Sequence, residues 1–221
     1  MYSHVKRVAI IGGGVAGLNT ARALTARGIQ CTIFEASSDV GGVWRSNYSG
    51  YGLQVPRNLY EFLDFPMTAV SPWTYPTGEQ VQAYIKSFQK AFVDGKAEVR
   101  LNSPVTALTP LPGGERGWSL TTGKDTLKYD YAVVCTGLYS TPFIPDIPRE
   151  GTSSTQVVHS TRFTSADSVK GKHVVVLGGA KSALDCAVAA SRAGAASTTL
   201  VSRAAHWGTP RKIAGLIPFQ L

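Results

Sequence analysis

Two runs of apolar, largely β-branched residues, Val8-Ala9-Ile10-Ile11 and Val174-Val175-Val176-Leu177, each break into a cluster of glycines and then into a helix-forming segment. An almost wholly apolar run is what a parallel strand covered on both faces requires. A glycine turn that opens a helix directly behind such a strand leaves the first helical N–H groups unpaired, with the positive end of the helix dipole behind them. That arrangement grips phosphate without any side chain. Two such turns in one chain imply two phosphate-bearing ligands of dinucleotide type.

In the first copy, Val5 to Ile11 reads as the strand and Ala16 to Ala26 as the helix. Between them, Gly12 lets the chain turn sharply, Gly14 lets backbone approach a pyrophosphate, and Gly17 lets helix and strand pack closely. Val15 and Ala16 add backbone at the helix start. Gly28 ends the helix, and Gln30 to Phe34 reads as a second strand with Glu35 at its carboxyl end. Glu35 stands 23 positions after Gly12, close to the ~20 at which such folds set an acid on a ribose hydroxyl pair. Taken singly, the glycines are a tight turn and Glu35 is a solvated strand end. The shared register of strand, turn, helix and acid favours a nucleotide site.

Length and composition bound the rest. A chain of 221 residues buries a core in one or two domains. Its net charge of +8 is scattered, with no basic run interleaved with aromatics, which argues against a nucleic-acid surface. Cys31, Cys135 and Cys186 form no Cys-x-x-Cys pair, which argues against a dithiol redox centre or a zinc site. No apolar stretch approaches the ~20 residues that span a bilayer, so a soluble, cytoplasmic protein without a membrane partner is expected.

Past Glu35, the segment Gly41-Gly42-Val43-Trp44 resembles the Gly-Gly-x-Trp of flavin-dependent monooxygenases. Leu53-Gln54-Val55-Pro56-Arg57, Asp64-Phe65-Pro66 and Tyr75-Pro76-Thr77-Gly78 extend that resemblance to the plant and fungal type of flavin-containing monooxygenase, amino-terminal portion only. Gln54 is either a flavin-facing amide or a surface residue. Val81, Tyr84, Ile85, Phe88 and Phe92 recur at steps of three and four and predict a helix with one buried face. Candidate strands follow near Glu98 to Leu101, Val105 to Leu108, Trp118 to Thr121 and Thr126 to Tyr129, a β-rich excursion with a Pro/Gly turn at Leu111 to Gly114. Tyr131 to Val134 returns as a buried strand. Cys135-Thr136-Gly137 behind it is similar to the Ala-Thr-Gly that closes the family's first flavin segment. A catalytic thiol is the rival reading of Cys135, and no basic residue adjoins it in sequence.

Phe143 to Pro148 resembles the linker that leaves the flavin domain. His159, Ser160 and Phe163 keep half of the family's fingerprint, while Ser153 and Thr155 depart from its Phe and Gly. The resemblance makes His159 a positioning residue near the cofactors. Gly178-Gly179-Ala180-Lys181-Ser182-Ala183 is similar to the family's NADPH-binding Gly-x-Gly-x-Ser-(Ala/Gly), with Ala180 in place of its second glycine. Ser182 either bonds phosphate or caps a helix running from Ala183 to Ala193. After the strand Thr198 to Val201 come Ser202 and Arg203, the latter 25 positions after Gly178. An acid there would repel a 2′-phosphate, whereas a guanidinium binds it with two hydrogen bonds, so NADP is favoured over NAD. A solvated surface Arg203 is the bland alternative. His206, Trp207 and Arg211 resemble the loop that follows.

The expected fold is α/β: a Rossmann-like FAD-binding domain with a β-rich insertion over 1–165, then an incomplete NADPH-binding βαβ unit over 166–221. The resemblance implies hydride transfer from NADPH to FAD, reaction with molecular oxygen, and delivery of one oxygen atom to a small-molecule nucleophile. No catalytic side chain is expected, because the flavin carries the chemistry. The monooxygenases it resembles continue past the residues present here, so a complementary fragment or a homo-oligomer is an expected partner. Three rivals stay open: a pyridine-nucleotide-disulfide oxidoreductase, which lacks its cysteine pair here; a single-site amine oxidase; and a non-catalytic cofactor-binding remnant or subunit.

Overall fold

The first apolar run forms β1 (Arg7–Ile11), in which Val8, Ala9 and Ile10 are buried. Along the chain follow α1 (Val15–Thr25), β2 (Gln30–Phe34), α2 (Gly78–Phe92), β3 (Glu98–Arg100), β4 (Val105–Pro110), β5 (Trp118–Thr122), β6 (Asp125–Tyr129) and β7 (Tyr131–Val134). After them come β8 (His173–Leu177), α3 (Lys181–Arg192), β9 (Ser197–Val201), β10 (Lys212–Ile213) and β11 (Ile217–Pro218). This computed structural model describes residues 6–148, 150–152, 154–204, 212–213 and 217–218. Val5, Ser153, His206, Trp207 and Arg211 lie outside the described residues. Two compact units divide the chain: Met1–Arg45 with Gln82–Ser140, and Ser46–Val81 with Thr141–Leu221.

The first unit is built on a parallel sheet of order β3-β2-β1-β7. The chain steps outward from β1 to β2 and β3, then returns to the other side of β1 with β7. In open parallel sheets the crevice beyond the carboxyl ends at such a reversal takes the ligand. Gly17, Leu18 and Ala21 of α1 are buried, and Gly17 lies against the Ile10 side chain. Ala9 and Phe34 form a core cluster with Leu120 and Tyr129 of the antiparallel meander β4-β5-β6. Phe34 meets Tyr129 edge to face at 5.9 Å. Burying Phe34 contributes about 1.5–3 kcal/mol and the ring pair about 0.5–1.5 more. The periodic face of α2 is buried at Val81, Tyr84, Ile85 and Phe88, and Arg22 of α1 stacks on Phe92 at 4.0 Å.

One strand is placed differently from the expected β-rich excursion. Glu98–Arg100 leaves that excursion and joins the main sheet beside β2, pairing Val99 with Ile33. Three residues are too few to show an alternation of their own, so only the pairing decides where they go.

In the second unit, β8 and β9 pair in parallel with Leu177 opposite Val201, and α3 buries Ala183, Cys186 and Ala190. Beyond a short 3-10 turn at Arg57–Leu59 the aromatic stretch to Pro66 is irregular, and Arg57 ties it down. The Arg57 guanidinium donates to the carbonyls of Met67 and Val70 at 2.8 and 2.7 Å and pairs with Glu61 at 3.1 Å. Among the described residues, no helix is long and apolar enough to cross a membrane.

Candidate cofactor-binding sites

The first glycine turn is shaped by backbone packing. Gly12 has φ +109°, and a methyl there would lie on the Cys135 carbonyl. A methyl at Gly17 would lie on the Gly12 carbonyl oxygen, so helix and turn approach as closely as glycine permits. Gly14 is different. As the N-cap of α1 it has φ −78° and ψ −171°, which any residue adopts, and a Cβ there would meet only Gly42 backbone, its Cα at 3.7 Å and its N at 3.9 Å. Glycine at this position therefore keeps space open over the helix start, the property a closely approaching phosphate needs.

Glu35 is 8% exposed and closes on this turn. One carboxylate oxygen accepts from Gly13 N–H at 2.7 Å; the other accepts from Ser37 N–H at 2.8 Å and from the Ser37 hydroxyl at 2.6 Å. A carboxylate offers roughly four acceptor positions, so one remains on the oxygen that faces the turn. Gly13, which the spacing argument passes over, is the hub: its N–H goes to Glu35 and its carbonyl accepts from Gly41 N–H at 2.9 Å. Gly42, Val43 and Trp44 form a short 3-10 turn, held over Gly14 by that bond and by the positive φ of Gly41 and Gly42, +120° and +57°. Gln82 of α2 fixes the same turn by donating to the Val40 carbonyl at 2.7 Å. Cys135 N–H donates to the Ile11 carbonyl, which puts Thr136 and Gly137, both exposed, beyond the end of β7 beside β1.

The second turn repeats the backbone bond that closes the first. Gly12 N–H donates to the Phe34 carbonyl at 2.8 Å, and Gly178 N–H donates to the Val201 carbonyl at 2.9 Å. Gly178 has φ +137°, and the N-cap Ala180 has φ −93° and ψ −179°, close to the backbone of Gly14. Ala180 is thus an unstrained replacement whose only cost is the space its exposed methyl takes. Ala183 holds the position of Gly17, and a Cβ on Gly178 would stand 3.1 Å from its methyl. Helix α3 begins at Lys181 and not at Ala183, so Ser182 is not the cap; the cap is Ala180, with no side-chain bond. The first turn's N–H groups have no intrahelical acceptors, so neither Lys181 nor Ser182 opposes an early start.

The equivalence of Phe34 and Val201 decides which residue takes the place of Glu35. It is Ser202, whose hydroxyl donates to the Ala204 carbonyl at 3.0 Å, with Arg203 next along and exposed. Lys181 is paired with Asp185, and the Tyr48 hydroxyl donates to the same carboxylate oxygen at 3.0 Å. Burial first, and the Asp185 charge second, push the Tyr48 phenol well above its usual range. The same causes in the same order push the Cys186 thiol up to about 11. Gln54 and His159 belong to the second unit. Gln54 is an exposed bend residue, and the His159 ring caps a 3-10 turn, accepting from Thr161 N–H at 3.3 Å. The pairing of Asp185 with Lys181 was readable from their spacing of four; Tyr48 gives no signal in sequence.

The chain is similar to known proteins over most of its length. A probable flavin-containing monooxygenase 1 of Arabidopsis thaliana is 34% identical over 97% of this chain and 47% of its own length. A Baeyer-Villiger monooxygenase of Streptomyces coelicolor is 32% identical over 96% and 40%. The solved structure of S-allyl-L-cysteine S-oxygenase from Allium sativum superposes with a TM-score of 0.76 at 29% identity, covering 95% of this chain and 54% of that one. The chain spans about half the length of the curated relatives it matches, their amino-terminal part. With residues 9–216 matched by the family model, the chain belongs to the pyridine nucleotide-disulphide oxidoreductase family.

Proposed function

We propose that this chain is the FAD- and NADPH-binding portion of a flavin-dependent monooxygenase that oxygenates nitrogen, sulfur or carbon in a small molecule. Residues 1–165 hold FAD and residues 166–221 contribute to NADPH. The observation that carries the reading is the repetition of one turn with two different strand ends, Glu35 in the first and Ser202-Arg203 in the second. An acid suits a free ribose hydroxyl pair, while a small neutral residue followed by a guanidinium suits a 2′-phosphate. The open space before Gly14 and the spare acceptor position on Glu35 fit a dinucleotide's pyrophosphate and ribose.

FAD bound in the first turn supplies the redox chemistry, between NADPH on one side and molecular oxygen on the other. The chain's own residues bind and orient. Backbone at Gly12, Gly14, Val15, Ala16 and Gly17 grips the pyrophosphate, Glu35 takes ribose, and Gly42, Val43, Trp44, Thr136 and Gly137 wall the approach. Gln54 and His159 keep the cofactor-positioning roles that the resemblance implies. Gly178, Gly179, Lys181, Ser182 and Ala183 form the second grip, with Arg203 on the 2′-phosphate. The cellular setting that goes with this reading is the cytoplasm.

A second reading has its own support. Val175 and Leu177 of β8 are 64% and 58% exposed, which suits a chain that pairs with a second copy or a complementary fragment before it acts. One experiment separates the two: purify the chain, record its visible spectrum, and follow NADPH oxidation together with oxygen uptake. A yellow protein that consumes both supports the enzyme, a yellow inert protein supports the second reading, and a colourless protein that binds no added FAD refutes flavin binding by the isolated chain.

A further inference from the structure

Lys181 is the first residue of α3, and the first turn of that helix contains no acid. A cation there opposes the helix dipole, so the residue is not placed for helix stability. Nor is its pairing with Asp185 the favourable orientation, since in such pairs the acid does better on the amino-terminal side. The pair is nevertheless half-buried, with side chains 26% and 18% exposed, and it carries a third member. Tyr48, 137 positions away in sequence, donates its hydroxyl to the same Asp185 oxygen that holds the ammonium. Tyr48 stays a neutral donor because its phenol is held well above its usual range. Asp185 therefore keeps one hydrogen-bond donor when the lysine leaves.

We infer that Asp185 is an internal stand-in for phosphate, holding Lys181 back from the second glycine turn until a dinucleotide pyrophosphate displaces it, with Tyr48 stabilising the vacated carboxylate. Asp185 and Tyr48 thereby set nucleotide affinity without touching the nucleotide; they are positioning residues. The inference rests on the assignment of the second turn to a nicotinamide dinucleotide. It names the pyrophosphate as the group Lys181 serves, so NADPH and NADH are affected alike, in contrast to Arg203.

The test is equilibrium titration of the full chain with NADPH and with NADH at two salt concentrations. Asp185→Asn frees the ammonium, tightens both nucleotides by about three- to tenfold, and steepens the salt dependence. Tyr48→Phe does the opposite and weakens both by about two- to threefold. In a Lys181→Ala background both effects vanish. A merely structural role makes both substitutions weaken binding. Asp185→Asn that binds equally or more weakly with an unchanged circular dichroism spectrum overturns the inference, as does tightening that survives Lys181→Ala. If Asp185→Asn does not fold, Tyr48→Phe decides: weaker binding that needs Lys181 supports the inference, and equal or tighter binding overturns it. A wild-type chain that binds neither nucleotide overturns the dinucleotide assignment, and this inference with it; wild-type binding without the opposite signs overturns the inference alone.

Discussion

Replacing Glu35 by Gln tests the first site most directly, because the same carboxylate organises the turn and addresses the ligand. It accepts three hydrogen bonds, from Gly13 N–H, Ser37 N–H and the Ser37 hydroxyl. Gln keeps one oxygen and turns the other into a donor, so either Gly13 or Ser37 then faces an NH2 group. Hydrogen bonds to charged groups contribute about 1.5–3 kcal/mol, and an unpaired buried N–H costs about 1–3 kcal/mol. These contributions overlap, and about 3 kcal/mol is a reasonable total for so tightly coupled a group. With a urea dependence of about 1–3 kcal/mol per M, the unfolding midpoint of the ligand-free chain falls by about 1–3 M. Affinity for FAD falls by at least about tenfold, as the turn loosens and the ribose loses its acceptor. Urea titration followed by far-ultraviolet circular dichroism reads the first quantity, and quenching of FAD fluorescence reads the second. A midpoint within about 0.2 M of wild type together with unchanged FAD affinity would refute both roles of Glu35.

Gly12→Ala combines a positive φ with a methyl on the Cys135 carbonyl, so it is expected to destabilise by about 3 kcal/mol or more and to abolish FAD retention, whereas Ala180→Gly leaves the fold intact and tightens NADPH, both read by cofactor titration. Arg203→Ala is expected to weaken NADPH by about fivefold and leave NADH unchanged, the modest size reflecting its exposure, while Ser202→Glu reverses the preference between the two. Cys186 and Cys31 are buried with raised thiol pKa values, so iodoacetamide at pH 8 labels Cys135 alone in the native chain and all three cysteines after unfolding, as mass spectrometry will count. The same shift has a stability consequence. Cys186 keeps its proton more firmly when folded, so its stabilising contribution is complete below the unfolded value of 9.0 and is lost as pH rises toward about 11.

Much of the site was legible without coordinates, and for local reasons. Gly12, Gly17 and Gly178 announce themselves because a positive φ, or a backbone contact with no room for a methyl, admits only glycine. Strands β1, β2, β7 and β8 follow from short apolar runs, and α2 from its three-and-four spacing. What stayed hidden depends on bonds between distant residues. Gly13 gave no signal in sequence because its importance lies in bonds to Glu35 and Gly41. Counting from the glycine left Ser202 and Arg203 sharing the place of Glu35; pairing Gly178 with Val201 gives that place to Ser202, with Arg203 next along.

By itself, then, the sequence determined that this protein has two glycine turns behind parallel strands, because steric freedom and hydrophobic period are properties of a few consecutive residues. Tertiary structure alone decided that Glu98–Arg100 extends the first sheet, that an acid closes one turn and a serine stands at the other, and that Tyr48 and Lys181 share one Asp185 oxygen. Register and long-range contact set those features, and no window along the chain contains both partners.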